Sequence, residues 1–362
     1  MQLVIKMDIL EKPPVGVEPL YELLRTTSKH YKLFCIFYAA MNIRLFDCLE
    51  SPKNPRELSE ALGVDSRLVH VLCEVLTDLG FLKKRGGSYM NTKIADTYLK
   101  RNSIYSQYEV LMNLQGGFKL WENLTDILKN GPVRADEQDF FHDNMIHALA
   151  AEHLTGELQK TVEIVKRLPE FRRARSLLDL GGGHGLYAIA FAMVNPNLKA
   201  YVFDLPEVIK DTKAYIKRFG ADRIETIEGN LFTDNLGKHD IIFFSYNPAG
   251  KNPNIVPKIH ASLNDGGLFI SKHAFYHKGE GSKNRLLDLE WNLTTWKGIK
   301  KGDKIYSFIG DLNYEDYLKL LKEYFTIKKI IKPEKFGSIS LYEFGDTLDS
   351  KIIIAKKRTS LK

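Results

Sequence analysis

Short apolar runs alternate with longer amphipathic stretches through the second half of the chain. The runs predict strands at about 176–180, 199–204, 224–227, 240–245, 267–272, 326–331 and 351–356. Helical patterns lie between most of them, and this alternation indicates an α/β fold with a doubly wound sheet and helices on both faces. Because ligands of such sheets bind beyond the carboxyl ends of the strands, the residues that follow each strand are the first candidates for a site.

The N-terminal part of the chain carries helical patterns instead. Residues 21–49 are apolar on most faces and predict one or two helices, which we expect another subunit to cover. Start and stop signals then predict a helix within 54–63, a second helix within 65–79, and a hairpin-like wing at 80–89. This order of elements is that of a winged helix-turn-helix.

The second helix of that motif decides whether the motif reads DNA. A recognition helix presents arginine, lysine, asparagine or glutamine to base edges. Here the polar positions hold Arg67, His70, Glu74 and Asp78, which is one arginine against two carboxylates. We therefore expect a dimerisation scaffold and no nucleic-acid partner. The apolar positions predicted to form its core side are Leu68, Val69, Val71, Leu72, Val75, Leu76 and Leu79.

Residues 105–168 combine a helical pattern with many aromatic side chains. The notable residues among its apolar positions are Met112, Phe118, Trp121, Phe140, Phe141, Met145, His147 and His153. Taken singly, each aromatic residue is explained by the core of a helix. As a set, they support the hypothesis of a cavity for a flat apolar molecule.

A glycine cluster follows the predicted strand 176–180 and leads into a helical pattern. Gly181, Gly183 and Gly185 allow a tight turn that a ligand can approach closely, and the N–H groups of the helix start face that ligand. Leu186 stands where the dinucleotide fingerprint has its third glycine. Asp204 ends the next strand, where an acid accepts hydrogen bonds from both hydroxyls of a ribose. This pattern fits an adenosine-containing cofactor without a pyrophosphate.

These motifs resemble a known family. Residues 179–185 are similar to the first motif of class I S-adenosylmethionine-dependent methyltransferases. Residues 202–208 resemble a narrower group, the small-molecule O-methyltransferases of plants, bacteria and animals with an N-terminal winged-helix dimerisation domain. Residues 228–232 resemble that group's next motif, with Asn230 where the family usually has aspartate. The similarity covers nearly the whole chain, from about residue 31 to residue 356.

The resemblance implies an organisation, a cofactor and partners. It implies a mainly α-helical winged-helix dimerisation domain at 1–104, a helical pocket wall at 105–170, and a Rossmann-like seven-stranded methyltransferase domain at 171–362. The implied cofactor is S-adenosyl-L-methionine, with S-adenosyl-L-homocysteine as product. The implied partners are a small, aromatic or hydroxylated methyl acceptor and a second copy of the chain. The residues expected to hold the cofactor are Asp179, Gly181, Gly183, Gly185, Asp204, Leu205, Asn230, Leu231 and Ser245.

One motif of the family is absent. The family has a histidine shortly after the fourth strand that takes the acceptor's proton, but residues 245–256 contain no histidine and no carboxylate. One alternative is that the base has moved to His147, His153 or His273. Another is that the acceptor needs no strong base, in which case Asn247 orients it. The third is a protein that binds S-adenosylmethionine without methyl transfer, such as a winged-helix regulator.

Composition and charge limit the classes of protein to which this chain can belong. The net charge of +7 comes from lysines spread over the C-terminal third, which indicates a solvated surface. No apolar run reaches the ~18–20 residues of a membrane span, and residues 1–10 lack a signal-peptide core. Cys35, Cys48 and Cys73 suit buried thiols in a reducing cytosol, and no ligand spacing indicates a metal. We expect a cytoplasmic protein without a membrane partner.

Overall fold

The computed structural model describes residues 12–136, 145–337 and 349–359. The chain divides into two compact units, one ending at Ser106 and the other beginning at Gln107. Phe140 and Phe141 of the predicted cavity, and the segment 1–10, lie outside the described residues. Within the described ranges, no helix has both the length and the apolar character needed to cross a bilayer.

The first unit is mainly helical and includes a short hairpin wing. Its elements are α1 (Glu18–Asn42), α2 (Leu45–Cys48), α3 (Pro55–Leu62), α4 (Ser66–Asp78), β1 (Leu82–Arg85), β2 (Ser88–Asn91) and α5 (Lys93–Tyr98). A capping box begins α3, because the Asn54 side chain accepts hydrogen bonds from the N–H groups of Arg56 and Glu57 while the Glu57 carboxylate accepts one from the Asn54 N–H. The predicted helical unit with a wing is confirmed.

Two helices of this unit expose apolar side chains. The large apolar residues of α1 that are more than half exposed are Leu20, Tyr21, Leu23, Leu24 and Tyr31. On α4, Val69 and Leu76 are buried, but Leu68 is 61% and Val71 54% exposed. The prediction that both belong to the core is wrong, because α4 packs only one side against α3 and β1. The prediction of buried thiols is also wrong for Cys35, which is exposed in this chain.

The second unit contains the large sheet. Its elements are α6 (Tyr108–Glu122), α7 (Leu124–Asn130), β3 (Val133–Asp136), α8 (Ile146–His153), α9 (Glu157–Val165), α10 (Pro169–Arg173), β4 (Ser176–Leu180), α11 (Leu186–Val194), β5 (Lys199–Asp204), α12 (Pro206–Arg218), β6 (Ile224–Glu228), β7 (His239–Ser245), α13 (Ile255–Ala261), β8 (Leu263–Phe275), α14 (Arg285–Asn292), β9 (Thr294–Lys297), α15 (Tyr314–Tyr324), β10 (Phe325–Ile331), a 3₁₀ turn (Pro333–Lys335) and β11 (Asp349–Lys357).

The large sheet has seven strands in the order β10-β11-β8-β7-β4-β5-β6. The five strands from β8 to β6 are parallel to their neighbours, and β11 pairs antiparallel with both β8 and β10. The seven predicted strands are confirmed, although β8 begins at Leu263, earlier than predicted. A separate parallel pair, β3 with β9, was not predicted.

Both faces of the sheet are covered by helices. Phe191 of α11 and Ile209 of α12 pack with Ile270 of β8 on one face, and Ile259 of α13 and Tyr317 of α15 pack on the other. This double burial explains why the central strands are nearly continuous apolar runs. The sheet extends from β4 through β5 in one direction and through β7 in the other. Ligands of such sheets bind in the crevice where the order reverses, which here lies between β4 and β7.

Candidate functional site

The turn between β4 and α11 has the backbone that its glycines predict. The φ angles of Gly181, Gly183 and Gly185 are 60°, 55° and 72°, a region in which a side chain is strained. A Cβ on Gly182 would lie 2.7 Å from the carboxyl carbon of Asp179. Glycine is therefore required here both for conformation and for space, and the turn leaves its peptide groups open to a ligand.

Two carboxylates support this turn. Asp179 is 2% exposed and accepts a hydrogen bond from the N–H of Ala188 at 3.3 Å. Asp204 accepts one from the N–H of Gly183 at 2.9 Å and one from the N–H of Leu205 at 2.8 Å. Burial raises the pKa of Asp179 to about 8 and that of Asp204 to about 6, and these backbone hydrogen bonds oppose the rise. Asp179 thus lies beneath the turn and Asp204 beside it.

The predicted cofactor residues after β6 form a turn of their own. The side-chain oxygen of Asn230 accepts a hydrogen bond from the N–H of Phe232 at 2.9 Å, and the Asn230 N–H donates to Asp234 at 2.8 Å. Asn230 is exposed, while Leu231 packs partly against the hydrophobic layer below it. This turn follows the edge strand next to β5, on the Asp204 side of the glycine turn.

The loop after β7 reaches back to the glycine turn. A Cβ on Gly181 would overlap the side-chain amide of Asn247, so Asn247 lies directly against the turn. Its side-chain oxygen accepts a hydrogen bond from the N–H of Ala249 at 3.0 Å. The hydroxyl of Ser245 is buried and has no hydrogen-bond partner among the described residues. Ser245 and Asn247 therefore line the β7 side of the crevice.

These residues fit an adenosine-containing cofactor. The side chain of His184, the one turn residue between Gly181 and Gly185 that is not glycine, is buried, and the carboxylate of Asp204 beside the turn is an acceptor of the kind that ribose hydroxyls require. The unpartnered Ser245 hydroxyl offers a hydrogen bond from the opposite side of the crevice. The residues that the sequence assigned to the cofactor thus lie at one end of the sheet, with those of β5 and β6 on one side of the glycine turn and Ser245 on the other. Asp179 is buried beneath the turn.

The three candidate histidines lie in different places. His147 on α8 contacts α12, where its Nδ1 lies 3.0 Å from the Tyr215 hydroxyl and its Nε2 lies 3.6 Å from a carboxylate oxygen of Asp211. Since α12 follows β5, His147 lies on the Asp204 side of the glycine turn. It is partly exposed.

His153 forms a partly buried pair with a histidine of the turn. Its Nδ1 lies 2.9 Å from Nε2 of His184, whose Nδ1 in turn accepts a hydrogen bond from the N–H of Leu186. Burial lowers the pKa of His153 to about 4 and that of His184 well below its ordinary value. Both rings are therefore neutral at pH 7, and His153 is occupied in holding the turn.

His273 lies on β8, beyond β7. It is fully buried, it stacks edge-to-face on Phe244 at 5.2 Å, and neither ring nitrogen has a hydrogen-bond partner among the described residues. Burial first, and then the ammonium groups of Lys251 and Lys272, lower the pKa of His273 well below its ordinary value. The structure thus places an uncharged imidazole, without a hydrogen-bond partner among the described residues, beneath the loop that follows β7.

A buried ion pair beside this edge was not assigned from the sequence. The ammonium of Lys272, fully buried on β8, pairs with Glu157 of α9 and donates to the Tyr187 hydroxyl at 2.6 Å. Burial lowers the pKa of Lys272 and alone would raise that of Glu157, but the positive charge of Lys272 holds the pKa of Glu157 below its ordinary value. A lysine within an apolar strand was a signal for this pair, whereas nothing in the sequence pointed to Glu157.

No cluster of three or more histidine, cysteine, aspartate or glutamate side chains with the geometry to hold a metal ion occurs within residues 12–136, 145–337 and 349–359.

The comparisons with known proteins agree with this geometry. The profile of the O-methyltransferase domain matches residues 138–252, and that of the O-methyltransferase dimerisation domain matches residues 24–101. An uncharacterized protein of Methanocaldococcus jannaschii is 38% identical over 96% of this chain and 100% of its own. The acetylserotonin O-methyltransferase of Rattus norvegicus is 26% identical, over 75% of this chain and 67% of its own.

A solved structure supports the fold. Human N-acetylserotonin methyltransferase in complex with S-adenosylmethionine superposes with a TM-score of 0.67 at 20% identity, covering 98% of this chain and 100% of its own. The chain therefore belongs to the O-methyltransferase family with an N-terminal dimerisation domain. It is an S-adenosylmethionine-dependent methyltransferase.

Proposed function

We propose that this methyltransferase methylates a hydroxyl oxygen of a small aromatic acceptor, which lies beyond the carboxyl ends of β7 and β8. The observation that carries the proposal is the buried imidazole of His273, unpaired at that edge. A buried polar group without a partner costs roughly 1–3 kcal/mol. A ligand hydroxyl that reached this ring would therefore be favoured as its partner.

The cofactor side is assigned to the crevice around the glycine turn. In this assignment Asp204 accepts hydrogen bonds from ribose hydroxyls, Ser245 pairs its buried hydroxyl with the ligand, and Leu205 and Leu231 provide apolar contacts. S-adenosylmethionine, when bound, supplies an electrophilic methyl group. Asp179 supports the turn from below, where it accepts the N–H of Ala188.

The acceptor side is assigned to an aromatic cluster beyond β8. Its buried members include Tyr276, Tyr306 and Phe308, and partly buried Tyr246, Trp291 and Trp296 pack against them. A cluster with this many aromatic side chains favours a flat aromatic ligand, because an aromatic pair is stabilised by about 0.5–1.5 kcal/mol more than its buried area alone accounts for. Asn247, between this cluster and the glycine turn, can both donate to and accept from the acceptor's hydroxyl.

Among the three histidines, His273 best fits the role of the group that takes the hydroxyl proton. His147 lies on the β5 side of the crevice, and His153 is bonded to His184. The lowered pKa of His273 keeps a lone pair available at neutral pH, but it also makes the ring a weak base. A weak base suits an acidic phenol better than an aliphatic alcohol.

We also infer that the chain forms a homodimer through its first unit. The exposed apolar residues of α1, together with Leu68 and Val71 of α4, form surface that water solvates poorly. Leucine and valine at the exposed face of α4 contribute nothing to hydrogen-bonded reading of base edges. They favour a protein partner over DNA.

The test is a methyl-transfer assay with methyl-labelled S-adenosylmethionine and matched panels of phenols, amines and thiols. Label recovered on phenol oxygen is the expected result. Label recovered only on nitrogen or sulfur would show that another acceptor class is correct. Binding of the cofactor without any transfer across the panels would show that methyl transfer has been lost.

A further inference from the structure

Two tyrosines near the proposed acceptor site have backbone conformations that strain a side chain. Tyr246 has a φ of 45° and Tyr306 a φ of 53°, and the only other residue besides glycine with positive φ in the described ranges is Arg44. Bulky residues rarely adopt this conformation, and where they do, surrounding structure must hold them. Such strained residues cluster at active sites and ligand clamps.

The two strained tyrosines contact each other. Their ring centroids are 6.2 Å apart with the planes at 67°, although the residues are separated by 60 positions in sequence (306 − 246). Tyr246 follows β7, and Tyr306 lies in a turn closed by the hydrogen bond from the N–H of Ser307 to the carbonyl of Lys304. Glycine or asparagine is usual where a turn requires positive φ. The two backbones are thus bent so that two aromatic rings meet at one place.

Neighbouring groups fix both rings. The N–H of Tyr246 donates to the carbonyl of Lys272 at 2.9 Å, and the Lys272 ammonium lies 5.1 Å from the centre of the Tyr246 ring. The ammonium of Lys251 lies 4.6 Å from the centre of the Tyr306 ring and donates to the Tyr306 carbonyl at 2.9 Å. Lys251 itself pairs with Asp311 at 3.0 Å. Two buried ammonium groups therefore hold the pair from opposite ends.

Tyr306 is 8% exposed, whereas Tyr246 keeps part of its surface open. In the chain, Tyr246 lies between Ser245 and Asn247, the two residues that line the β7 side of the crevice.

We propose that Tyr246 is the residue against which the aromatic ring of the acceptor stacks, and that Tyr306 buttresses Tyr246 from behind. This inference rests on the proposed function for the acceptor class, and it adds the residue that selects for a flat ring. The strained backbone holds the Tyr246 ring beside Asn247, so that an acceptor stacked on it presents its hydroxyl to the crevice. Stacking also excludes acceptors that lack a planar ring.

The test is equilibrium binding of 2-naphthol to the full chain saturated with S-adenosylhomocysteine, measured by calorimetry. Tyr246→Asn removes the ring but tolerates positive φ, and Tyr246→Phe keeps the ring. We expect Tyr246→Asn to weaken naphthol binding about tenfold or more, and Tyr246→Phe to bind within about threefold of the unchanged protein. Arg44→Asn is the matched control, since it relieves the same strain in the other unit and should leave binding unchanged.

Wild-type affinity retained in Tyr246→Asn would overturn the proposal, and so would the absence of naphthol binding to the unchanged protein. S-adenosylhomocysteine affinity, measured on the same samples, separates loss of the ring from general damage. If Tyr246→Asn proves unfolded, Tyr306→Asn must show the same loss of naphthol binding for the proposal to stand. If naphthol binding depends on the Tyr246 ring but no methyl transfer occurs, the proposed function is wrong and the stacking role of Tyr246 still stands.

Discussion

The imidazole of His273 fills the space that a side chain on Gly250 would occupy. A Cβ on Gly250 would lie 2.6 Å from Nδ1 of His273 and closer still to other ring atoms. Because Gly250 lies in the loop after β7 and His273 on the neighbouring strand, this contact places the ring directly beneath the loop. The absence of a side chain at position 250 is therefore what allows His273 to pack beneath the loop after β7.

Gly250→Ala should displace this ring. The added methyl group must push either the loop or the imidazole, at a cost of about 1–3 kcal/mol, and a misplacement of about 1 Å in such a group lowers turnover by up to ~10²-fold. We expect a marked fall in kcat with cofactor affinity intact, measured by steady-state kinetics and calorimetry. Gly281→Ala, where a Cβ meets open space, should behave like the unchanged protein, and equal kcat in the two variants would contradict this role of Gly250.

Cofactor affinity should depend on the ionisation of Asp204. The carboxylate is the form that accepts ribose hydrogen bonds, and burial raises its pKa to about 6. Affinity should therefore be full above pH 7 and weaken as the pH falls through about 6. Asp204→Asn should lose about 1.5–3 kcal/mol of binding at neutral pH and should remove this pH dependence. Calorimetry of cofactor binding from below pH 6 to above pH 7 tests the pH dependence and the effect of the substitution. Asp222→Asn on the surface is the control. An affinity of Asp204→Asn equal to that of the unchanged protein would refute the assignment of Asp204.

A partly exposed histidine links stability to pH. His277 lies 2.6 Å from Glu315 and 2.9 Å from Asp349, and hydrogen bonds with these carboxylates raise its pKa. A raised folded-state pKa contributes stability that is present below the unfolded pKa of about 6.5 and is lost as the pH rises through the folded value. His277→Gln should therefore lower Tm more at pH 6 than at pH 9. His30→Gln on α1 is the control. If the Tm difference between His277→Gln and the unchanged protein is the same at both pH values, the pairing of His277 with the two carboxylates does not affect stability.

The dimer predicted from α1 can be tested by introducing a charged side chain on that helix. Leu24→Glu places a carboxylate on the exposed apolar face of α1, where a partner subunit would have to bury it. Sedimentation should show a dimer for the unchanged chain, with an interface of roughly 2,000 Å² or more, and a monomer for Leu24→Glu. Leu128→Glu, on a 70% exposed leucine of α7, should remain dimeric. A stable monomer of the unchanged chain at micromolar concentration would contradict the prediction.

The parts of the site that follow from local sequence were predictable. The glycine turn and Asp204 each depend on a strand and the few residues after it, so the apolar runs sufficed to place them. The pairing of Lys272 with Glu157 joins residues 115 positions apart and has no periodic signature. The meeting of Tyr246 and Tyr306 likewise depends on backbone angles that no pattern of residue types predicts.

Hydrophobic periodicity also leaves open what covers an apolar face. Leu68 and Val71 repeat with the spacing of buried positions, yet both are exposed in the single chain. The same pattern serves a hydrophobic core and an interface between subunits, because both remove apolar surface from water. Sequence therefore identified the apolar positions of α4 but could not separate its two faces.

The central claim is that His273 takes the proton of an aromatic hydroxyl during methyl transfer. The most direct measurement is kcat of the unchanged protein, His147→Ala, His153→Ala and His273→Ala with one phenolic acceptor, from pH 5 to pH 9. We predict a loss of ~10²–10⁴-fold in His273→Ala with cofactor affinity retained. Because burial lowers the pKa of His273 well below its ordinary value, the pH dependence that it contributes should lie on the acidic side of that value. A kcat of His273→Ala within a few-fold of the unchanged protein would contradict the claim.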